Sequence, residues 1–451
     1  MNIETTRYRM MRLGKKFIKT KNFFLLILLV TFLHFCFNYF LYNDPNGDML
    51  RCYSTRQGNS KILDASDQLV KYREIHGSIL KSSDINRKLV FSGEIKEGYG
   101  NRLYSFLSSL LIALLTDSAL IVNWRGIEKY IEPPIDIFYV KNSKMCTKTT
   151  KEAPFEMKAQ YAWNAQKDIN NIIQTKIPLG HNKFLYKSLD ALYMEIACNS
   201  MYYDKIRSYN LASDATLDDA IRNLNSKASS EAEKRAACFK VGYEIGGNLL
   251  NRIWTPNKLI SDMVSAFVET KFKDNFVIGI QLRYHYLMDR ELFTYRFINC
   301  ALQIENDYLM QGNFSTKSKN VKWFIASDSE KYLNKLVKLY PDKIITADGP
   351  ISHIQNPDGY QRAIIDVELL SKCDEILMTG GSTFAFMGAM KSLRMPFNID
   401  GQQVRLNPNH SNKLFEIFYS VLNTIDPQPI EKCYRASMDK PPLRPDGISV
   451  F

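Results

Sequence analysis

No Cys-x-x-Cys pair and no histidine-rich cluster occurs in this chain of 451 residues, although it holds 8 cysteines and 6 histidines. The spacings of a structural zinc site are therefore missing. A DxD-type metal motif is also missing, apart from the looser Asp328-Ser-Glu330, which suits nucleotide contact or a solvent-facing helix cap. Charge of one sign is sparse outside a single segment: of the formal net +12, the first 22 residues supply +6, from seven Lys and Arg less Glu4. Charge does not call for a nucleic-acid partner, and the remaining basic excess suits an anionic ligand or a solvated surface equally.

Long apolar runs are as scarce. Only Phe23 to Leu41 lacks charge throughout, and 19 residues at about 1.5 Å each roughly cross a bilayer core of about 30 Å. Arg7, Arg9, Arg12, Lys15, Lys16, Lys19 and Lys21 precede the run, and Asp44 and Asp48 follow it. By the positive-inside rule residues 1–22 are a cytosolic tail, 23–41 a transmembrane signal anchor, and everything after lies across the membrane. The rival, a cleaved signal peptide, has an apolar stretch of about 7–15 residues and a small-x-small cleavage site, neither of which fits. His34 and Asn38 near the end of the span face headgroups or a partner helix.

What is present is globular: 45% hydrophobic and 24% charged residues in a length sufficient for two domains. With Cys36 inside the span, Cys52, Cys146, Cys198, Cys238, Cys300, Cys373 and Cys433 are left in a compartment that permits disulfides. Seven is odd, so at least one thiol is free or pairs between chains, as in a homodimer. Asn313-Phe-Ser315 and Asn409-His-Ser411 carry the N-glycosylation pattern.

Residues 42–87 are polar with turn signals such as Asp44-Pro-Asn-Gly47, and read as a stem. Lys88-Leu-Val-Phe-Ser92 then reads as a strand, Leu103 to Leu115 as a helix and Ala119-Leu-Ile-Val-Asn123 as a strand, with the glycine-rich Gly98-Tyr-Gly-Asn-Arg102 at the carboxyl end of the first strand. Residues 140–250 are less legible, with helical stretches such as Leu217 to Val241. Trp254-Thr-Pro-Asn-Lys258 opens a further helix with proline near its first turn. Strands at Phe276–Arg283, Lys322–Ala326, Lys343–Thr346 and Ile376–Thr379 alternate with helices at Glu330–Tyr340 and Tyr360–Lys372, the pattern of a parallel α/β sheet.

Three of these strand ends carry polar residues: Arg283, Ser327-Asp328 and Gly381-Ser382-Thr383. Side chains at the carboxyl ends of parallel strands converge on one crevice. Arg283 can chelate phosphate oxygens, Asp328 can accept N–H bonds from a base edge, and the turn at 380–383 presents a helix N-terminus to an anion. The plainer alternatives are an Arg–Asp ion pair and a well-capped helix.

Gly98-Tyr-Gly-Asn-Arg-Leu103 with Ala113-Leu-Leu-Thr-Asp117, Asn248-Leu-Leu-Asn-Arg-Ile-Trp-Thr-Pro-Asn257, Ile278-Gly-Ile-Gln-Leu-Arg283, Leu369-Leu-Ser-Lys-Cys-Asp374 with Gly381-Ser-Thr-Phe384, and Cys433-Tyr-Arg-Ala-Ser-Met-Asp-Lys-Pro-Pro442 occur in that order. Together they resemble the fucosyltransferase superfamily that uses GDP-fucose, and within it the plant xyloglucan-type enzymes. The resemblance implies a GT-B-like pair of Rossmann-type domains behind the transmembrane helix and stem: 88–258 on the acceptor side, 259–420 binding the nucleotide sugar, and 421–451 a tail packing on the catalytic part. It implies a Golgi type II membrane protein, luminal in its catalytic part, that transfers L-fucose to a glycan hydroxyl with inversion and without metal or other cofactor, an α1,2 linkage to galactose being one candidate. On that resemblance Gly98, Gly100, Asn101 and Arg102 face the sugar diphosphate, Arg283 contacts diphosphate, Asp328 reads guanine, and Gly381, Ser382, Thr383 and Phe384 form the donor-binding turn. His285 and Asp289 are candidate bases. The chain departs from the frequent His-x-Arg-Arg pattern, having Gln281-Leu-Arg283-Tyr284, so the second arginine is missing. A membrane-anchored homologue that binds nucleotide or glycan without turnover, and a glycosyltransferase with another donor, remain the competing readings.

Overall fold

The computed structural model describes residues 53–55, 67–82, 88–92, 97–124, 126–137, 139–141, 155–157, 183–186, 191–284, 290–310, 320–351, 359–380 and 382–399. The tail, the span at 23–41, Asn313, Asn409, His285, Asp289, Gly381 and the segment 400–451 lie outside them. The chain divides into two units, residues 1–54 with 141–154, and residues 55–140 with 155–451. The fold described here is that of the second.

Its strands are β1 (Leu89–Ser92), β2 (Ala119–Val122), β3 (Phe155–Met157), β4 (Lys183–Tyr186), β5 (Asn275–Leu282), β6 (Asn320–Ser327), β7 (Ile344–Ile345), β8 (Glu375–Thr379) and β9 (Phe397–Ile399). The helices are α1 (Leu69–Lys81), α2 (Tyr99–Leu115), α3 (Leu192–Ile196), α4 (Tyr203–Ser208), α5 (Asp214–Asn225), α6 (Glu231–Arg252), α7 (Lys258–Phe267), α8 (Arg290–Met310), α9 (Glu330–Leu339), α10 (Gly359–Leu370) and α11 (Thr383–Ser392).

Two wholly parallel sheets result. The first has the order β2-β1-β4-β3 and the second β9-β8-β5-β6-β7. In the second sheet the first strand in sequence lies at the centre, and the chain winds outward to one side and then to the other, the doubly wound order whose crevice opens where direction reverses. That reversal falls between β5 and β8, which pair from Glu375↔Ile278 to Met378↔Gln281. β5 is buried on both faces: Val277 enters the core shared with α2, α6, α10 and α11, while Ile278, Ile280 and Leu282 enter the one under α8 and α9. Parallel strands covered on both faces read as unbroken apolar runs, which is why this sheet was legible in sequence.

Helix α2 is apolar nearly all round, as a helix enclosed on every side must be; from Tyr99 to Leu115 only Asn101 is not buried. Its serines are accommodated by local bonds. Ser108 Oγ donates to Tyr104 O at 2.8 Å and accepts from Tyr193 N–H at 3.2 Å.

The structure differs from the sequence reading at four places. The segment read as stem, 42–87, includes α1, whose Leu69, Tyr72 and His76 are buried, with Tyr72 Oη donating to Ser118 O at 3.0 Å. His76 Nδ1 accepts from Leu120 N–H at 3.2 Å, so Nε2 carries the proton and donates to Asp136 O at 3.1 Å. The helical stretch read from Leu217 to Val241 is divided between α5 and α6, separated at Ser226–Ser230, with a capping box in which Ser230 and Glu233 satisfy each other's backbone N–H. Pro256 precedes the Asn257 N-cap of α7, outside the first turn. Helix α2 begins at Tyr99, four residues before Leu103.

Cys198 and Cys238 form a disulfide that joins the second residue beyond α3 to α6, and Cys300 is disulfide-bonded as well. Among the described residues Cys373 is the free thiol, buried, with Sγ donating to Leu369 O at 3.3 Å. No helix among the described residues is long and apolar enough to cross a membrane.

Candidate functional site

Strand β8 ends at Thr379, the chain turns, and α11 starts behind Ser382. The Ser382 N–H donates to Thr379 O at 2.9 Å, and the first intrahelical bond runs from Phe386 N–H to Ser382 O at 3.2 Å. The N–H groups of Thr383, Phe384 and Ala385 thus precede the intrahelical ladder and face out of the helix end. Ser382 does not cap them: its side chain makes no capping bond, and its hydroxyl, on a residue 3% exposed, has no partner among the described residues. Between a capped helix and a ligand turn, this position shows the uncapped arrangement.

The glycine-rich loop beyond β1 starts α2 in a similar way. Gly98 is its N-cap and brings no side chain, and Arg102 N–H donates to Gly98 O at 3.0 Å. A Cβ added at Gly100 would stand 2.6 Å from Thr383 C and 2.7 Å from Phe384 N. Only glycine permits that approach, so the two helix N-termini abut, and two positive dipole ends meet. Around the contact, the Tyr99 ring lies 6.5 Å from Phe384 and its hydroxyl accepts from Trp254 Nε1 at 2.8 Å.

Arg102, in the first turn of α2, is buried beside this contact. Its Nε donates to Glu97 O at 2.9 Å, and its guanidinium carbon is 5.4 Å from the Trp124 ring centre and 5.6 Å from that of Tyr360. Among the described residues no carboxylate pairs with it, and Nη1 has no partner. The charge is held by aromatic faces, with the Nη1 N–H groups left to give.

Across the reversal in the second sheet a chain of bonds ties the other strand ends together. Arg283 N–H donates to Thr379 Oγ1 at 3.1 Å, and Thr379 Oγ1 donates to Gln281 O at 2.9 Å. Tyr284 N–H donates to Asp328 Oδ1 at 2.7 Å. Tyr284 itself is fixed by stacking on Tyr332 at 4.5 Å and a 2.7 Å bond between its hydroxyl and Thr294 Oγ1; burial pushes its phenol up to about 12. Gln281, 4% exposed, has its Oε1 unpaired among the described residues.

Arg283, Asp328 and Ser382 therefore share one hydrogen-bonded row at the carboxyl ends of β5, β6 and β8, and Gly100 with Thr383 and Phe384 joins the glycine-rich loop to it. One oxygen of Asp328 accepts from backbone. Sequence reasoning gave no role to Trp124, Tyr360, Trp254 or Thr379. The signal for Trp124 and Thr379 was the one used elsewhere, a distinctive side chain at or just beyond the carboxyl end of a buried strand. Tyr360 carried no such mark, since it lies on a helix and meets Arg102 only through the tertiary fold.

No family profile matches the chain, and no curated protein does. Among solved structures it is similar to fucosyltransferase NodZ from Bradyrhizobium, with 16% identity over 70% of this chain and 97% of that one and a TM-score of 0.43. It is also similar to a variant of Arabidopsis thaliana FUT1 in complex with GDP, with 14% identity over 79% and 84% and a TM-score of 0.49. A third is POFUT1 in complex with GDP, with 13% identity over 70% and 99% and a TM-score of 0.30.

Proposed function

We propose that this protein is a type II Golgi membrane glycosyltransferase that moves L-fucose from GDP-fucose to a glycan hydroxyl, inverting the anomeric carbon without a metal. The observation that carries the diphosphate part is the meeting of the α2 and α11 N-termini beside Arg102 Nη1 and Ser382 Oγ, both buried and unpartnered. Such a cluster favours a multiply charged oxyanion. The choice of guanine and fucose rests on the motif resemblance and on Asp328 at the end of β6.

In this reading the acceptor oxygen attacks the anomeric carbon on the face opposite the diphosphate. The new carbon–oxygen bond forms as the bond to the β-phosphate oxygen breaks, and the electron pair leaves with the diphosphate. Arg102, Arg283, the α11 N-terminus and the hydroxyls of Ser382 and Thr383 stabilise that growing charge, preorganised as an oxyanion hole is. The acceptor proton passes to a base, His285 or Asp289 being the candidates, or to water late in the reaction.

A donor screen with the full chain in detergent, scoring hydrolysis and transfer, tests the activity. GDP-fucose alone is expected to be consumed. Binding of GDP with no consumption of any sugar nucleotide would establish the inactive-homologue reading instead. For the topology, a C-terminal tag is expected to survive protease in sealed microsomes, and its digestion would refute the luminal placement.

A further inference from the structure

Two N–H donors beside the start of α2 have no acceptor among the described residues. Arg102 Nη1 and Trp124 Nε1 are both buried without a hydrogen-bond partner, on side chains 9% and 5% exposed. The guanidinium carbon lies 5.4 Å from the indole ring centre. Guanidinium and indole are donors only, so neither satisfies the other, and a buried donor left unmade is costly. Trp323 Nε1 is unpartnered too, but it stands alone with Lys343 over its ring; at Arg102 two such donors share one place. Both are held in position: Trp124 stacks on Trp254 at 5.2 Å, and Tyr360 meets Trp124 edge-on at 6.0 Å while facing the guanidinium. What two donors beside two positive helix ends accept is an anionic oxygen.

We propose that Trp124 is a ligand-binding residue, donating its indole N–H together with Arg102 Nη1 to phosphoryl oxygen of the nucleotide-sugar diphosphate. This rests on the donor-site reading above and deepens it, adding a contact from the end of β2 to those from the second sheet. Tyr360, on α10, is a positioning residue whose ring packs against both the guanidinium and the Trp124 ring.

Trp124→Phe keeps an aromatic ring for the Trp254 stack and for Arg102 while removing the N–H. Titrations of the full chain in detergent with GDP and with inorganic pyrophosphate are expected to show both dissociation constants rising about tenfold, which is about 1.4 kcal/mol. The ligand-free melting temperature is expected to hold or rise, since an unsatisfied donor has gone. Tyr360→Phe is expected to bind as wild type and Tyr360→Leu to lose affinity for both ligands. Unchanged constants in Trp124→Phe overturn the proposal, whatever happens to the melting temperature. A rise for GDP alone overturns it as well, because it would put the indole on the nucleoside. A wild type that binds pyrophosphate but not GDP leaves the two-donor site standing and removes the donor reading; one that binds neither overturns both.

Discussion

Arg283 and Ser382 differ in what they do for the empty fold, and the difference separates structure from function by mutation. Arg283 joins the row of strand ends through its backbone N–H to Thr379, so replacing its side chain leaves that bond in place. Arg283→Ala is expected to lower turnover about 10²–10³-fold, by analogy with loss of one oxyanion-hole donor. Arg283→Lys should restore little, because an ammonium lacks the planar fork; steady-state kinetics on the three proteins check this. Ser382 is the reverse of an ordinary buried serine. Its hydroxyl is already without a partner, so Ser382→Ala removes no bond and is expected to leave thermal stability equal or slightly raised while weakening protection by GDP. A fall in stability comparable to loss of a helix cap, about 1 kcal/mol, would show that the hydroxyl serves the fold after all.

Among the elements, α1 and the pair α2 and α11 carry the consequences. Gly100→Ala would set a Cβ within 2.7 Å of the Thr383–Phe384 backbone as well as of Thr383 Oγ1, and backbone cannot yield as a side chain can. The two helix ends must separate, which is expected to cost about 1–3 kcal/mol, visible as a lowered melting temperature together with loss of nucleotide binding. Helix α1 depends on His76, whose burial draws it down to about 4 from the ordinary 6.5. The folded state therefore holds the neutral ring, its stabilising contribution is complete above about pH 6.5, and it fades as pH falls toward 4. Urea midpoints are expected to drop over that window in wild type and to drop less in His76→Gln. These same elements show what the sequence made legible. Strands β5, β6 and β8 could be read because each is an apolar run closed by a polar residue, and Arg283, Asp328 and Ser382 followed from their ends. Helix α1 could not, because its buried Leu69, Tyr72 and His76 are spaced among charged residues and one of them is itself polar. The gap between α5 and α6 was legible in Ser230 and Glu233 had the capping pattern been weighed, whereas the aromatic faces around Arg102 come from segments more than a hundred residues apart.

For the molecule as a whole, the base assigned to Asp328 and the diphosphate assigned to the turn make separable demands. GDP is expected to protect the full chain against thermal unfolding, UDP is not, and chelator should alter neither result. Ligand at about 100 times its dissociation constant adds about 2.7 kcal/mol, enough to read in a melting curve. Equal protection by both nucleotides would remove the guanine assignment and leave the phosphate site. Gly100 has one more consequence. Because it lets two positive helix ends touch next to a guanidinium that no described carboxylate neutralises, the protein is built around a charge imbalance that the proposed diphosphate donor would cancel. On the proposed function, supply of sugar nucleotide would then govern survival as well as turnover rate: the same chain, delivered where donor is scarce, is expected to spend more time partly open to proteolysis than one beside a full store.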